Sequence, residues 1–244
     1  MTAIVLCAGR GKRLRPLTSD RPKCLLSFGS RTILECCLEN VQAAGIRDVV
    51  LVTGYKEERI ERFIRNRAFG EVTCVYNDRY DRTNTAVSLH LALKVIDDDF
   101  ILINGDVLFD RGILVDLIRH PAPHCVVVDT GMSLDHEEIK VMARNGRVEK
   151  ISKELDPKLS LGEAIGLYKV GRILIPDLIS IFDGLERRGE DHHFFEKGFE
   201  RVCEEGGDGR FFGLLPTSGR PWVEIDTHED LDYARREIFP RLCR

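Results

Sequence analysis

The 244-residue sequence contains no Cys-x-x-Cys pair, although it has eight cysteines, at positions 7, 24, 36, 37, 74, 125, 203 and 243. That spacing excludes a paired-cysteine zinc or redox motif, and the cysteines are expected to be reduced, mostly buried thiols. No apolar run approaches the ~20 residues of a membrane span. The seven histidines show no metal-ligand spacing; the adjacent His192-His193 reads as a helix start. Positive charge is not in surplus: 36 Lys and Arg stand against 40 Asp and Glu, a net charge of −4. Nonspecific nucleic-acid binding, which needs a basic surface, is therefore excluded. Aromatic residues make up 7%, and no repeat, low-complexity tract or linker divides the chain. The first apolar run is too short for a signal peptide and is followed by charge. The expectation is a cytoplasmic protein of one domain, without membrane insertion, long enough to bury a substantial core.

Apolar runs at Ala3–Leu6, Asp48–Thr53, Val72–Tyr76 and Phe100–Asn104 read as strands. Helical spacing separates them at Ile33–Ala44, Glu57–Arg67 and Asn84–Val95. Strands alternating with helices imply an α/β fold, a Rossmann-like three-layer α/β/α sandwich around a mixed, mostly parallel sheet. The second half changes character. Cys125–Asp129 and Ala164–Val170 read as strands, and Asn145-Gly146 marks a hairpin between Ile139–Ala143 and Arg147–Ile151. Helices are expected at Ile173–Arg187, His193–Glu204 and Glu229–Phe239, with short strands at Phe211–Leu215 and Trp222–Ile225. The β-rich part reads as a small substrate-side insertion.

The densest signal follows the first strand. Leu6-Cys7-Ala8-Gly9-Arg-Gly11-Lys12-Arg13 places two glycines and then a set of cations, joined by Arg15 and Lys23. Glycines let backbone approach an anion closely, and successive N–H groups form an anion-binding concavity. The loop is neither a dinucleotide fingerprint, which needs a third glycine, nor a Walker A loop, because Arg13 stands where Ser or Thr would follow Gly11-Lys12. It suits a polyphosphate, although basic loop residues are also ordinary solvated surface.

Ligands in open α/β sheets bind at the carboxyl ends of strands. Besides the Gly9 loop, Thr53-Gly54-Tyr55, Gly105-Asp106 and Asp226 fall at such ends. Two aspartates delivered by separate strands suit Mg²⁺, which is held by one or two carboxylates plus substrate phosphates. The competing reading makes Asp106 a turn residue and Asp226 a cap of the last helix. Asp129 also ends a strand, or starts the loop Thr130-Gly131. Lys140 reads either as a site residue or as a hairpin surface lysine.

These pieces, in this order, resemble the nucleotidyltransferases that join a nucleoside triphosphate to a phosphorylated small molecule. The resemblance rests on the Gly9 loop with Arg13-Leu14, on Pro22-Lys23-Cys24-Leu25, and on Asn84-Thr85-Ala-Val-Ser88-Leu89. It extends to Lys140-Val141, Asn145-Gly-Arg-Val148, Ile151-Ser-Lys153, Gly162-Glu163-Ala-Ile-Gly166 and Trp222-Val-Glu224-Ile-Asp226-Thr-His-Glu-Asp230-Leu, covering nearly the whole chain. The last stretch is similar to the phosphocholine, inositol-1-phosphate and aminoethylphosphonate cytidylyltransferase branch. Lys12, in place of Thr or Ser, departs from the common pattern, and Asn104-Gly-Asp106 is closer to the sugar branch.

The resemblance implies that Asp106 and Asp226 bind the catalytic Mg²⁺. Leu6, Cys7, Ala8, Gly9, Gly11, Lys12, Arg13, Thr53, Gly54, Tyr55, Asn84, Thr85, Ser88 and Gly105 are assigned to the nucleotide. Arg13 and Lys23 are assigned to catalysis, aligning the triphosphate. Asp129, Lys140, Lys153, Glu163 and Glu224 are assigned to the acceptor. Residues 1–110 would serve mainly the nucleotide and 125–225 mainly the acceptor. The implied partners are CTP and a phosphorylated small alcohol or a phosphonate. No catalytic His or Glu is expected, because the acceptor is already an anion at pH 7. A sugar-1-phosphate nucleotidylyltransferase using UTP or dTTP, and a noncatalytic nucleotide sensor, remain as alternatives. Tyr168, Trp222 and Tyr80 are candidates for an aromatic cage, without forming a sequence cluster; Trp222 reads first as a packing residue. The apolar helices either close a homodimer or belong to the core.

Overall fold

The computed structural model describes residues 1–131, 133–207 and 209–242. The first half runs β1 (Thr2–Leu6), β2 (Ser27–Phe28), β3 (Arg31–Thr32), α1 (Ile33–Ala43), β4 (Asp48–Thr53), α2 (Glu57–Arg65), β5 (Glu71–Tyr76), α3 (Thr85–Leu93) and β6 (Phe100–Asn104). Then follow β7 (Val107–Phe109), α4 (Arg111–Arg119), β8 (Cys125–Asp129), β9 (Lys140–Arg144), β10 (Arg147–Ser152) and β11 (Gly162–Val170). The chain closes with α5 (Ile175–Arg187), α6 (Glu196–Glu205), β12 (Gly213–Pro216), β13 (Trp222–Glu224), α7 (His228–Tyr233), a π-helical turn over Ala234–Ile238, and α8 (Phe239–Leu242).

Among the described residues, nine strands form one mixed sheet in the order β5-β4-β1-β6-β11-β8-β12-β10-β9. The pairs β5/β4, β4/β1, β1/β6 and β8/β12 are parallel; the others are antiparallel. Parallel character is thus concentrated where strands and helices alternate. It gives way at β11, which runs against β6, β8 and β9. Alternate residues of the same strands feed two cores, as a period of two requires. Ile4, Leu6, Val50, Val52 and Leu102 pack with α3, α5 and α6 on one face. Ala3, Val5, Val49, Leu51 and Ile103 pack with α1, α2 and α4 on the other. The result is a three-layer sandwich.

A third core decides where the site lies. Leu14 and Leu26 from the basic loop meet Phe28, Ile33, Leu108, Ile225 and Ile238. This cluster clamps the N-terminal loop against the β7–β13 ribbon and the C-terminal helices, so residues more than 200 positions apart share one cleft. Thr32 caps α1 reciprocally with Glu35, and Thr227 caps α7 reciprocally with Asp230. The last cap leaves the Asp226 carboxylate out of the helix: only its N–H is engaged by Asp230.

Several local expectations shift. The helix after His192-His193 begins at Glu196, and the helix read as Glu229–Phe239 is interrupted by the π turn. Strand β7 and helix α4 had no counterpart in the sequence reading; Trp222–Ile225, read as a short strand, is β13 over Trp222–Glu224 and pairs with β7. Cys7, Cys24, Cys36, Cys37 and Cys125 are buried, Cys203 is partly so, and Cys74 is exposed. Cys243 lies outside the described residues. Among those residues, no helix is long and apolar enough to cross a membrane.

Candidate active site

A cleft of about 860 Å³ opens at the carboxyl ends of β1 and β6. Leu6, Ala8, Gly9 and Arg13 line it from the first loop, Asn84, Thr85 and Ser88 from the start of α3, and Gly105 and Asp106 from the turn after β6. Lys153, Glu163, Glu224 and Asp226 line the other side. Asn84 caps α3 by accepting the Thr85 N–H, which leaves the helix start facing the cleft. Gly105 is required by crowding: a Cβ there would lie 2.4 Å from the Leu6 carbonyl and 2.8 Å from Cys7 Sγ.

The floor is a charged constellation. Lys23 Nζ lies 2.6 Å from Asp106 Oδ2 and 2.6 Å from Asp226 Oδ1. Arg13 donates to the other Asp226 oxygen. Burial by itself would lower the Lys23 pKa, but the two aspartates reverse this and hold the ammonium charged. Burial likewise acts to raise Asp226, and Lys23, then Arg13 and Lys153, pull it below the usual carboxylate range. Glu224 is pushed far up, first by burial and then by Asp106 and Asp226. Asp106, Glu224 and Asp226 each offer one oxygen within 4.8 Å of the others. Asp106 Oδ1 is buried and has no hydrogen-bond partner. A set of hard oxygen donors, one of them unsatisfied, fits a divalent cation of the Mg²⁺ class.

Other assigned residues lie outside the lining and support it. Cys7 is buried beneath the loop against Gly105. Gly11 has φ +57° and packs on the Lys23 and Thr18 side chains, and Lys12 sits in the exposed turn that follows. Thr53, Gly54 and Tyr55 buttress the loop: the Tyr55 N–H donates to the Ala8 carbonyl at 3.1 Å and its hydroxyl to the Ser19 carbonyl at 2.7 Å. Lys140 is fully buried and donates to the carbonyls of Asp135 (3.1 Å) and Glu138 (3.0 Å). It is therefore not a surface lysine, and its ammonium is held by the loop carbonyls rather than presented in the cleft lining. Asp129 accepts from the Trp222 indole and the Gly131 N–H. Tyr168 is buried in the core and donates to Glu196 Oε1 at 3.0 Å, so it cannot belong to a cage.

The sequence reading missed much of the wall. Asn104, Asp135, Glu137, Glu138 and Phe194 line the cleft without having been assigned to it, whereas Trp222 and Tyr80, two of the three cage candidates, do line it. Asn104 was legible as the strand-end residue before Gly105-Asp106. The 135–138 loop carried no comparable signal.

Residues 2–132 match the family model for nucleotidyl transferases. That is over half of the chain, and the protein belongs to this family. It is 30% identical over 247 residues to the bifunctional protein GlmU of Methanocaldococcus jannaschii, with 95% of this chain and 54% of that protein covered. It is 26% identical over 220 residues to the CTP:phosphoglutamine cytidylyltransferase of Campylobacter jejuni, covering 83% of this chain and 84% of the other. The chain thus spans about half the length of the first relative and most of the second. The solved structure of the inositol-1-phosphate CTP transferase from T. maritima shares the fold, with TM-score 0.82 and 21% identity over 99% of this chain and 95% of that one.

Proposed function

We propose that the protein transfers CMP from CTP to a phosphorylated small alcohol or a phosphonate, releasing pyrophosphate. The observation that carries the reading is Lys23 between Asp106 and Asp226, beside a glycine-rich cationic loop, at the floor of one cleft. The similarity to a CTP-dependent relative over most of both chains supports cytidine.

The chemistry needs no general base. An acceptor oxygen, already anionic, bonds to the α-phosphorus of CTP as the bond from that phosphorus to the β-phosphate oxygen breaks. What opposes the reaction is repulsion between anions and charge growing on the leaving pyrophosphate. Arg13 and Lys23 bring fixed positive charge to the triphosphate, and Lys153 serves the acceptor phosphate. Each such group is worth about 2.7–4 kcal/mol in barrier. A bound Mg²⁺, held by Asp106 and Asp226 with Glu224 beside them, would add Lewis-acid neutralisation of phosphate charge. Residues 1–110 serve mainly the nucleotide and 125–225 mainly the acceptor.

Similarity to GlmU across 95% of the chain favours a second reading, a sugar-1-phosphate nucleotidylyltransferase using UTP or dTTP. Pyrophosphate release with each nucleoside triphosphate, Mg²⁺ and a panel of alcohol phosphates, phosphonates and sugar phosphates separates the two. Turnover with CTP and a non-sugar acceptor is expected. Turnover restricted to UTP or dTTP with a sugar phosphate selects the second reading, and silence with every pair removes both.

A further inference from the structure

The acceptor end of the cleft is acidic beyond what a phosphate ligand would call for. Glu163, near the start of β11, is in register with Asp129 on β8 and Lys140 on β9. It is 8% exposed and lines the cleft. Among the described residues its carboxylate has no hydrogen-bond or ion-pair partner. Asp135, Glu137 and Glu138 line the same region.

The local cations do not pair with Glu163. The Lys140 ammonium is fixed on two loop carbonyls, and Lys153 is paired with Glu137 at 3.2 Å. Burial, then Glu138, Asp129 and Asp135, push the Glu163 carboxyl up to about 7. A hydroxyl ligand would leave that repulsion in place, whereas a cation removes it. Aromatic surface is at hand. Trp222 lines the cleft, and its indole is anchored on Asp129, the register partner of Glu163. Phe194 also lines it and already has the Lys153 ammonium 5.9 Å from its ring centroid.

We propose that the acceptor carries an ammonium group as well as its phosphate or phosphonate, and that the ammonium is seated at Glu163 beside Trp222, Asp135 and Glu138. This deepens the transferase reading and rests on it. It selects amine-bearing acceptors over polyol and sugar phosphates.

The test is calorimetric binding to the full chain with Mg²⁺ and a non-hydrolysable CTP analogue. Phosphocholine and phosphoethanolamine are compared with 3,3-dimethylbutyl phosphate, in which a quaternary carbon replaces the nitrogen, and with inositol-1-phosphate. The cationic probes are expected to bind about 10-fold tighter or more. In Glu163→Gln, checked for an unchanged melting profile, that preference should fall to within about threefold. Equal binding of the neutral isostere, preferred binding of inositol-1-phosphate, no binding of either cationic probe, or a preference intact in Glu163→Gln overturns the proposal. The ligand comparison in the unaltered protein decides the matter even if the variant does not fold. The two readings fail separately. Cation-selective binding without pyrophosphate release from CTP sinks the transferase reading alone. Turnover of neutral or sugar phosphates with no cation preference sinks the subsite alone.

Discussion

Lys23 Nζ donates to Asp226 Oδ1 at 2.6 Å, across 203 positions of sequence. The same nitrogen reaches Asp106 at the same distance. One lysine thus ties together the loop after β1, the turn after β6 and the chain before α7, and holds two of the three carboxylates suited to a metal.

Replacing Lys23 by Met leaves Asp106, Glu224 and Asp226 facing one another without the ammonium that bridges Asp106 and Asp226, with Arg13 still on Asp226. The expected result is a loss of turnover of roughly 100-fold or more. In chelator the melting temperature should also drop, because a partly buried ion pair has been broken. Added Mg²⁺ should restore much of the melting temperature but not the rate. Kinetics and thermal melts with and without Mg²⁺ check both; a melting curve insensitive to Mg²⁺ would argue against a metal at these carboxylates.

Lys140→Met should act through the loop that Lys140 holds. With the Asp135 and Glu138 carbonyls released, the acidic wall loses its shape. The acceptor KM is expected to rise severalfold with kcat and the CTP KM little changed. Steady-state kinetics with each substrate varied in turn would show it, and an equal loss in kcat would place Lys140 in the chemistry instead.

Glu196 is buried under Tyr168, and burial raises its carboxyl pKa from 4.5 to about 7. A raised folded-state pKa means that stability present below about pH 4.5 is lost as pH rises through about 7. Glu196→Gln keeps an acceptor for the Tyr168 hydroxyl and removes the titration. The variant should therefore gain on the parent as pH rises from 5 to 8, by about 2 kcal/mol. Denaturant unfolding at both pH values is the check; a constant difference contradicts the account.

Glu163 titrates near the same pH, facing Glu138, Asp129 and Asp135 with Lys140 opposing them. The preference for phosphocholine over its neutral isostere should accordingly grow as pH rises from about 6 to 8. Taking the ratio of the two ligands cancels the titration of their common phosphate, whose second pKa is about 6. A flat ratio across that range would remove Glu163 as the responsible group.

The sheet was legible where physics is local. Asp48–Thr53 and Phe100–Asn104 are continuous apolar runs closed by polar residues, and both are strands over those spans. Asp106 and Asp226 were legible because each follows such a run. The Thr53–Tyr55 stretch was legible as a strand end but not as a buttress. A Cβ at Gly54 would lie 2.9 Å from the Ala8 carbonyl and 2.7 Å from Tyr80 atoms, and that close approach depends on a contact between distant segments. Lys140 was misleading for the same reason: a charge at a strand start reads as exposed or ligating, and its ammonium instead holds the carbonyls of the 135–138 loop. The acidic wall draws on β11 and the 135–138 loop, whose meeting has no local signature. The α4 region did carry a signal, Asp110 capping Ile113, Leu114 and Leu117 on one buried face, but it was short.

The most direct test of the account is product formation from CTP, Mg²⁺ and phosphocholine or phosphoethanolamine, followed by ³¹P NMR, with the parent protein and Asp106→Asn. The account predicts a new CDP-linked diester and stoichiometric pyrophosphate with the parent, and loss of both by roughly 100-fold or more in the variant. Undiminished turnover in Asp106→Asn, or no product from CTP with any phosphorylated alcohol or phosphonate, would contradict it.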